Sequence, residues 1–184
     1  YDFDLIIFDR YRLNRILPNY YFGNIARYVK EGGALLEASG PDFASDNSIY
    51  TTDLQQVLPA FPTGQVIKRE FKPALTDNGK RHPVTDDLSW PGGTDGNPGW
   101  GSWLRQGAVS PTSGETLMSG ADNLPLLILD RVGKGRVAQL ASDQIWLWSR
   151  GHKGGGPQAE LLRRMAHWLM KEPELEENAL DVSI

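Results

Sequence analysis

The opening of the chain limits its fold more than any other stretch. Residues 5–8 (LIIF) form a short apolar run without polar alternation, ending at Asp9-Arg10, as in a strand buried on both faces. From Leu17-Pro18 to Lys30, the apolar residues Tyr21, Phe22, Ile25, Tyr28 and Val29 recur at helical spacing. Pro18 suits a first helical turn and Gly32-Gly33 a C-terminal cap. Residues 34–38 (ALLEA) supply a second strand. Strand, helix, strand in that order is a right-handed parallel crossover, and it predicts an α/β fold with helices covering a mainly parallel sheet.

Downstream the pattern weakens and then returns. A short helix is expected over residues 53–58 and a strand over 65–69, while the glycine- and proline-rich stretch at 90–103 (WPGGTDGNPGWGSW) reads as a surface loop. Residues 116–119, 126–131 and 136–142 are strand-like, and Gly133-Lys134-Gly135 joins the last two as a tight antiparallel hairpin near one edge of the sheet. From Pro157, the residues Leu161, Leu162, Met165, Trp168 and Leu169 form the apolar stripe of a final helix. One domain is expected over residues 1–172, with 173–184 as an acidic C-terminal extension or linker.

Composition excludes several kinds of chemistry. A formal charge of −4 without any block of Lys or Arg gives no footprint for nucleic acid. With no cysteine there is neither thiol catalysis nor a thiolate metal site. The three histidines, His82, His152 and His167, lack metal-ligand spacing, so no metal and no cofactor is expected. No run reaches the roughly 20 apolar residues of a membrane span, so this stretch is not expected to insert into a bilayer. The residues leave the compartment open between periplasm and cytoplasm.

Polar residues just past strand ends are the candidates for a site, because in an open parallel sheet those ends share one crevice. They are Asp9 and Arg10 after the first strand, Ser39, Gly40 and Asp42 after the second, and Asp143, Gln144 and Trp146 after the last. Ser39 is the one candidate nucleophile at the turn, with Asp143 and either His82 or His152 as its partners in a hydrolase of an amide, ester or glycoside. The frame Glu37-Ala38-Ser39-Gly40-Pro41 departs from the Gly-x-Ser-x-Gly elbow, and the same residues serve equally well as caps and solvated loops. A third reading places carbohydrate on the tryptophans of the 90–103 loop with Trp146 and Trp148.

Taken in order, FDLIIFDRY, NIARYVKEGGALLEASGP, RHPVTDDL and PLLILDRVGKGRVAQLASDQ resemble the class I glutamine amidotransferase-like superfamily, in its trehalose-utilisation-type branch, over residues 1–170. The likeness extends to the amidotransferase-like region of large bacterial membrane proteins that also carry a von Willebrand factor A-type domain. The resemblance implies a flavodoxin-like three-layer α/β/α sandwich. It also implies a Cys-His-Glu triad, whose cysteine falls at Ser39-Gly40 and whose His-x-Glu falls at Ser142-Asp143-Gln144. Neither position keeps the required groups. The expected function is therefore a non-catalytic module for interaction or ligand sensing, whose partners are a small molecule, other domains of the same polypeptide or another protein.

Overall fold

The computed structural model describes residues 3–14, 16–94 and 98–171. The opening unit forms in the predicted order, β1 (Leu5–Asp9), α1 (Asn19–Glu31) and β2 (Ala34–Ala38), with β1 and β2 parallel and Leu5 in register with Ala34, but β1 is not buried on both faces as expected: it lies at the sheet edge with Ile7 exposed. Gly32 ends the helix at φ 132°, a conformation that side chains disfavour. At Gly33 a Cβ would lie 2.2 Å from the Tyr28 ring, so only glycine lets the chain turn beneath that ring into β2.

The remaining elements are β3 (Ala60–Ile67), β4 (Ala74–Leu75), β5 (Gln106–Pro111), β6 (Glu115–Ser119), β7 (Pro125–Val132), β8 (Gly135–Leu140), the short α2 (Trp146–Ser149) and α3 (Gln158–Leu169). The main sheet has the order β1-β2-β8-β7-β6-β4, and β3 and β5 pair separately as an antiparallel ribbon. β1, β2, β8 and β6 run in one direction, while β7 and β4 run against them. The expected hairpin is therefore β7-β8, and β6 and β4 continue it to the far edge. The fold is the flavodoxin-like α/β sandwich, with helical layers on both faces of a mixed sheet.

Strand alternation divides the core between these two faces. On one, Leu35, Ile128 and Val137 meet Phe22, Ala26 and Val29 of α1. On the other, Leu36, Leu127, Leu129, Ala138 and Leu140 meet Leu161, Met165 and Trp168 of α3. Each large apolar side chain so buried contributes roughly 2 kcal/mol, and the crossover is held from above and below.

Two further expectations need correction. The strand placed at 65–69 begins earlier, at Ala60, and pairs with β5, which the sequence reading did not anticipate. The 90–103 stretch is not a surface loop throughout, since Trp100 and Trp103 are fully buried and pack against Trp148 at ring distances of 5.2 and 5.0 Å. A Phe71–Trp103 bridge anchors that stretch to the rest of the fold. The acidic extension at 173–184 lies outside the described residues. Among the described residues, no helix is long and apolar enough to cross a membrane.

Candidate functional site

The parallel strands β1, β2 and β8 end side by side, and their carboxyl ends bring Asp9-Arg10, Ser39-Gly40 and Asp143-Gln144 to one edge of the sheet. Two backbone bonds fix the alignment: the Arg10 amide donates to the Ala38 carbonyl at 2.9 Å and the Ser39 amide to the Leu140 carbonyl at 2.8 Å. Arg10 takes a left-handed φ of 50°, uncommon for a residue with a side chain. Gly40 makes room for that turn, since a Cβ there would come within 3.2 Å of Arg10 Cα and Cβ.

Asp143 is the electrostatic centre of this edge. Its side chain is 1% exposed, and Oδ2 lies 2.9 Å from Arg10 Nε and 2.5 Å from Arg105 NH2. Arg105 Nε adds a 3.3 Å bond to Oδ1, and the Gln144 amide donates to the same oxygen at 3.2 Å. Ser142 Oγ ties the segment down by donating to the Arg105 carbonyl and accepting from the Gln144 amide N–H. Two guanidiniums thus face one carboxylate. The Arg10 side chain is 59% exposed, and its terminal nitrogens are left for solvent or a ligand. Arg12 and Asp42 form a looser pair nearby, at 3.6 Å.

Beneath Ser39 lies Glu37, a carboxyl in the middle of a strand buried on both faces. Burial pushes it up to about 8, although the Ser39 hydroxyl donates to it at 2.7 Å and the Gln139 amide beside it also favours the charged form; the charge of Asp9 adds to the rise. The Ala60 N–H donates to Gln139 Oε1 at 3.0 Å, which turns Nε2 toward Glu37, yet Nε2 makes no hydrogen bond of good geometry. At about 8, Glu37 is mostly protonated at neutral pH. A neutral carboxyl takes up no proton from a hydroxyl, so Ser39 is held and not activated.

The expected histidines are elsewhere. His82 is buried against Trp168 at a ring distance of 5.9 Å, in a hollow of about 270 Å³ lined also by Glu115, Asp130 and Arg131. Arg131 pairs with Arg136 near the start of β8, so His82 lies toward the opposite edge of the sheet from Asp143. His152 sits in the turn after α2, and no hydrogen bond or ion pair joins it to Ser39 or Asp143 among the described residues. Trp146 is 47% exposed on α2, whereas Trp148 is buried and donates to the Gly101 carbonyl at 2.8 Å. The tryptophans proposed as a sugar platform thus mostly fill the core.

Two residues of the site escaped the sequence reading. Glu37 carried a signal, a charge inside an otherwise apolar strand of a parallel unit. Arg105 carried none, because it reaches Asp143 across 38 residues of chain.

Comparison with known proteins adds to the fold. No family model matches the chain, and no curated protein matches it by sequence. Among solved structures, the cytoplasmic protein STM1381 from Salmonella typhimurium LT2 superposes with a TM-score of 0.72 at 23% identity, over 91% of this chain and 72% of that one. The cytoplasmic protein STM3548 from Salmonella typhimurium gives a TM-score of 0.71 at 18% identity, with the same 91% and 72% coverage. A ThuA-like protein from Parabacteroides merdae gives 0.53 at 12% identity, over 91% of this chain and 70% of that one. The fold is one that these proteins share. At these identities the likeness is one of architecture, in line with the trehalose-utilisation-type branch that the motif order resembles.

Proposed function

We propose that this chain is a non-catalytic amidotransferase-like domain, a ligand-sensing or interaction module within a larger, membrane-anchored protein. The observation that carries this reading is the state of the strand-end edge. Asp143 is neutralised by Arg10 and Arg105, and the Ser39 hydroxyl is tied to a protonated Glu37. No imidazole is hydrogen-bonded to either residue among the described residues, so the constellation lacks the base that a serine hydrolase needs. The membrane-anchored context rests on the motif order alone. For sensing, the exposed guanidinium of Arg10 favours a small ligand bearing a carboxylate or phosphate, which accepts paired N–H donors in a plane.

The test pairs binding with turnover. Titration calorimetry with a panel of small carboxylates and phosphates should find an anionic ligand whose binding disappears in Arg10→Ala. Glutamine and simple esters should be hydrolysed no faster than by Ser39→Ala. Turnover well above background that vanishes in Ser39→Ala would overturn the proposal in favour of the hydrolase, because loss of a true nucleophile costs several orders of magnitude in rate.

A further inference from the structure

β1 is an edge strand. β2 lies on one side of it, and among the described residues no strand pairs with the other. Its sequence carries neither lysine nor proline, and Ile7 at its centre is 56% exposed. The pairing with β2 determines which backbone groups are free. Because the Arg10 amide donates to the Ala38 carbonyl in a parallel ladder, the even-numbered residues of β1 turn their N–H and C=O groups toward β2. Leu5, Ile7 and Asp9 turn theirs outward.

We infer that the outer edge of β1 pairs antiparallel with β1 of a second copy of this chain, with Ile7 on the two-fold axis, so that two sheets become one. Three features select this occupant and this register. Centring on Ile7 overlaps the whole of Leu5–Asp9 and sets its outward groups, Leu5 against the partner's Asp9 and Ile7 against the partner's Ile7, as mutually hydrogen-bonded pairs. The same register brings Asp4, exposed before the strand, beside the partner's Arg10, whose guanidinium is largely in solvent. Acid at one end and base at the other make the strand complementary to itself when reversed. A shift by two residues in either direction cuts the overlap of the five-residue strand to three; one direction sets Asp4 against the partner's Phe8 and loses the charge match, and the other sets it against the partner's Arg12 and keeps an acid–base pair on the shorter overlap. The exposed Ile7 side chains would then cover one another on the sheet face, as a non-polar centre flanked by charge.

Sedimentation equilibrium of the whole chain, over micromolar to millimolar concentrations, tests the inference. The expected result is a dimer that Ile7→Pro weakens at least tenfold. Proline there removes an outward N–H and a half-exposed side chain but no hydrogen bond to β2, so thermal unfolding and the CD spectrum of the monomer should stay close to those of the parent. Asp4→Arg, which opposes like charges, should weaken the dimer several-fold and more so at low salt. Hydrogen exchange supplies a readout independent of folding defects: the Ile7 and Asp9 amides should slow with concentration in the parent chain. A chain that stays monomeric throughout overturns the proposal. A dimer indifferent to both substitutions, or an edge whose amides slow only when an extended peptide of another protein is added, overturns it equally.

Discussion

At the start of β8, Arg136 is 3% exposed, its guanidinium 4.9 Å from the centre of the Trp168 ring and its NH1 donating to the Trp168 carbonyl at 2.5 Å. Just past the other end, Asp143 is equally buried, but its partners Arg10 and Arg105 come from loops, and Arg10 stays largely in solvent. The first charge is enclosed by a helix packed on the sheet face, which also covers His82. The second is enclosed on the protein side and left open on the other. One strand thus carries a closed structural charge and an open, over-neutralised one, and only the open end can add a ligand without unpacking the core.

Substitutions at the two ends separate these roles. Trp168→Ala should have the largest effect, about 4 kcal/mol of stability measured by urea unfolding, since it empties a fully buried aromatic site and strips Arg136 of its ring. Binding of an anion at the other end should persist in whatever fraction stays folded. Arg105→Ala should cost about 2–3 kcal/mol, because it leaves a buried carboxylate with one partner in place of two. Arg105→Lys should recover only part, since an ammonium cannot bridge both Asp143 oxygens as Nε and NH2 do. If Arg105→Ala costs no more than a surface ion pair, well under about 1 kcal/mol, then the Asp143 end is not a buried electrostatic centre and the comparison fails.

Glu37 sharpens the picture through pH. Its carboxyl rises from an ordinary value of 4.5 to about 8 in the fold. Between those values the folded chain holds a proton that the unfolded chain releases, so stability falls as pH rises, by about 1.4 kcal/mol per unit, and levels off above pH 8. Glu37→Gln should be flat over the same window, in chemical denaturation from about pH 5 to about pH 9. A parent chain without that slope would mean that the carboxyl ionises inside the fold. Ser39 would then have a base beside it, and the hydrolase reading would regain its footing.

How much of this could be read from the sequence depends on how local each signal is. The β1-α1-β2 unit was legible because apolar spacing, a proline and a glycine pair lie within one stretch of chain, and the β7-β8 hairpin because Gly133-Lys134-Gly135 marks its turn. The ribbon of β3 and β5 was hidden, since both strands carry proline and glycine and β3 is interrupted between Pro62 and Val66. Trp100 and Trp103 sit among glycines that suggest a surface loop, and only tertiary packing draws them inward. The parallel-sheet rule placed Arg10, Ser39, Gly40 and Asp143 at one edge, and there Arg10 pairs with Asp143. It could not show that Arg105 arrives from outside the strand ends, nor that His82 belongs to the other end of β8.

The smallest expected effect tests how Arg10 is held. Gly40 has φ −82° and ψ −179°, which alanine adopts freely, so Gly40→Ala strains nothing in its own backbone. The added methyl lies nearest to Arg10, at 3.2 Å from its Cα and Cβ, and the arginine must give way by a few tenths of an ångström. Gly40 is buried, but the Arg10 side chain that must yield is largely in solvent, so the overpacking should cost about 1 kcal/mol. The 2.9 Å contact between Arg10 Nε and Asp143 should lengthen, and any anion bound there should bind several-fold more weakly, while the Trp168 end stays unchanged by fluorescence. If affinity falls with stability untouched, Arg10 is positioned for the ligand. If both stay unchanged, the left-handed turn at Arg10 tolerates displacement, and the open end of β8 is less preorganised than its geometry implies.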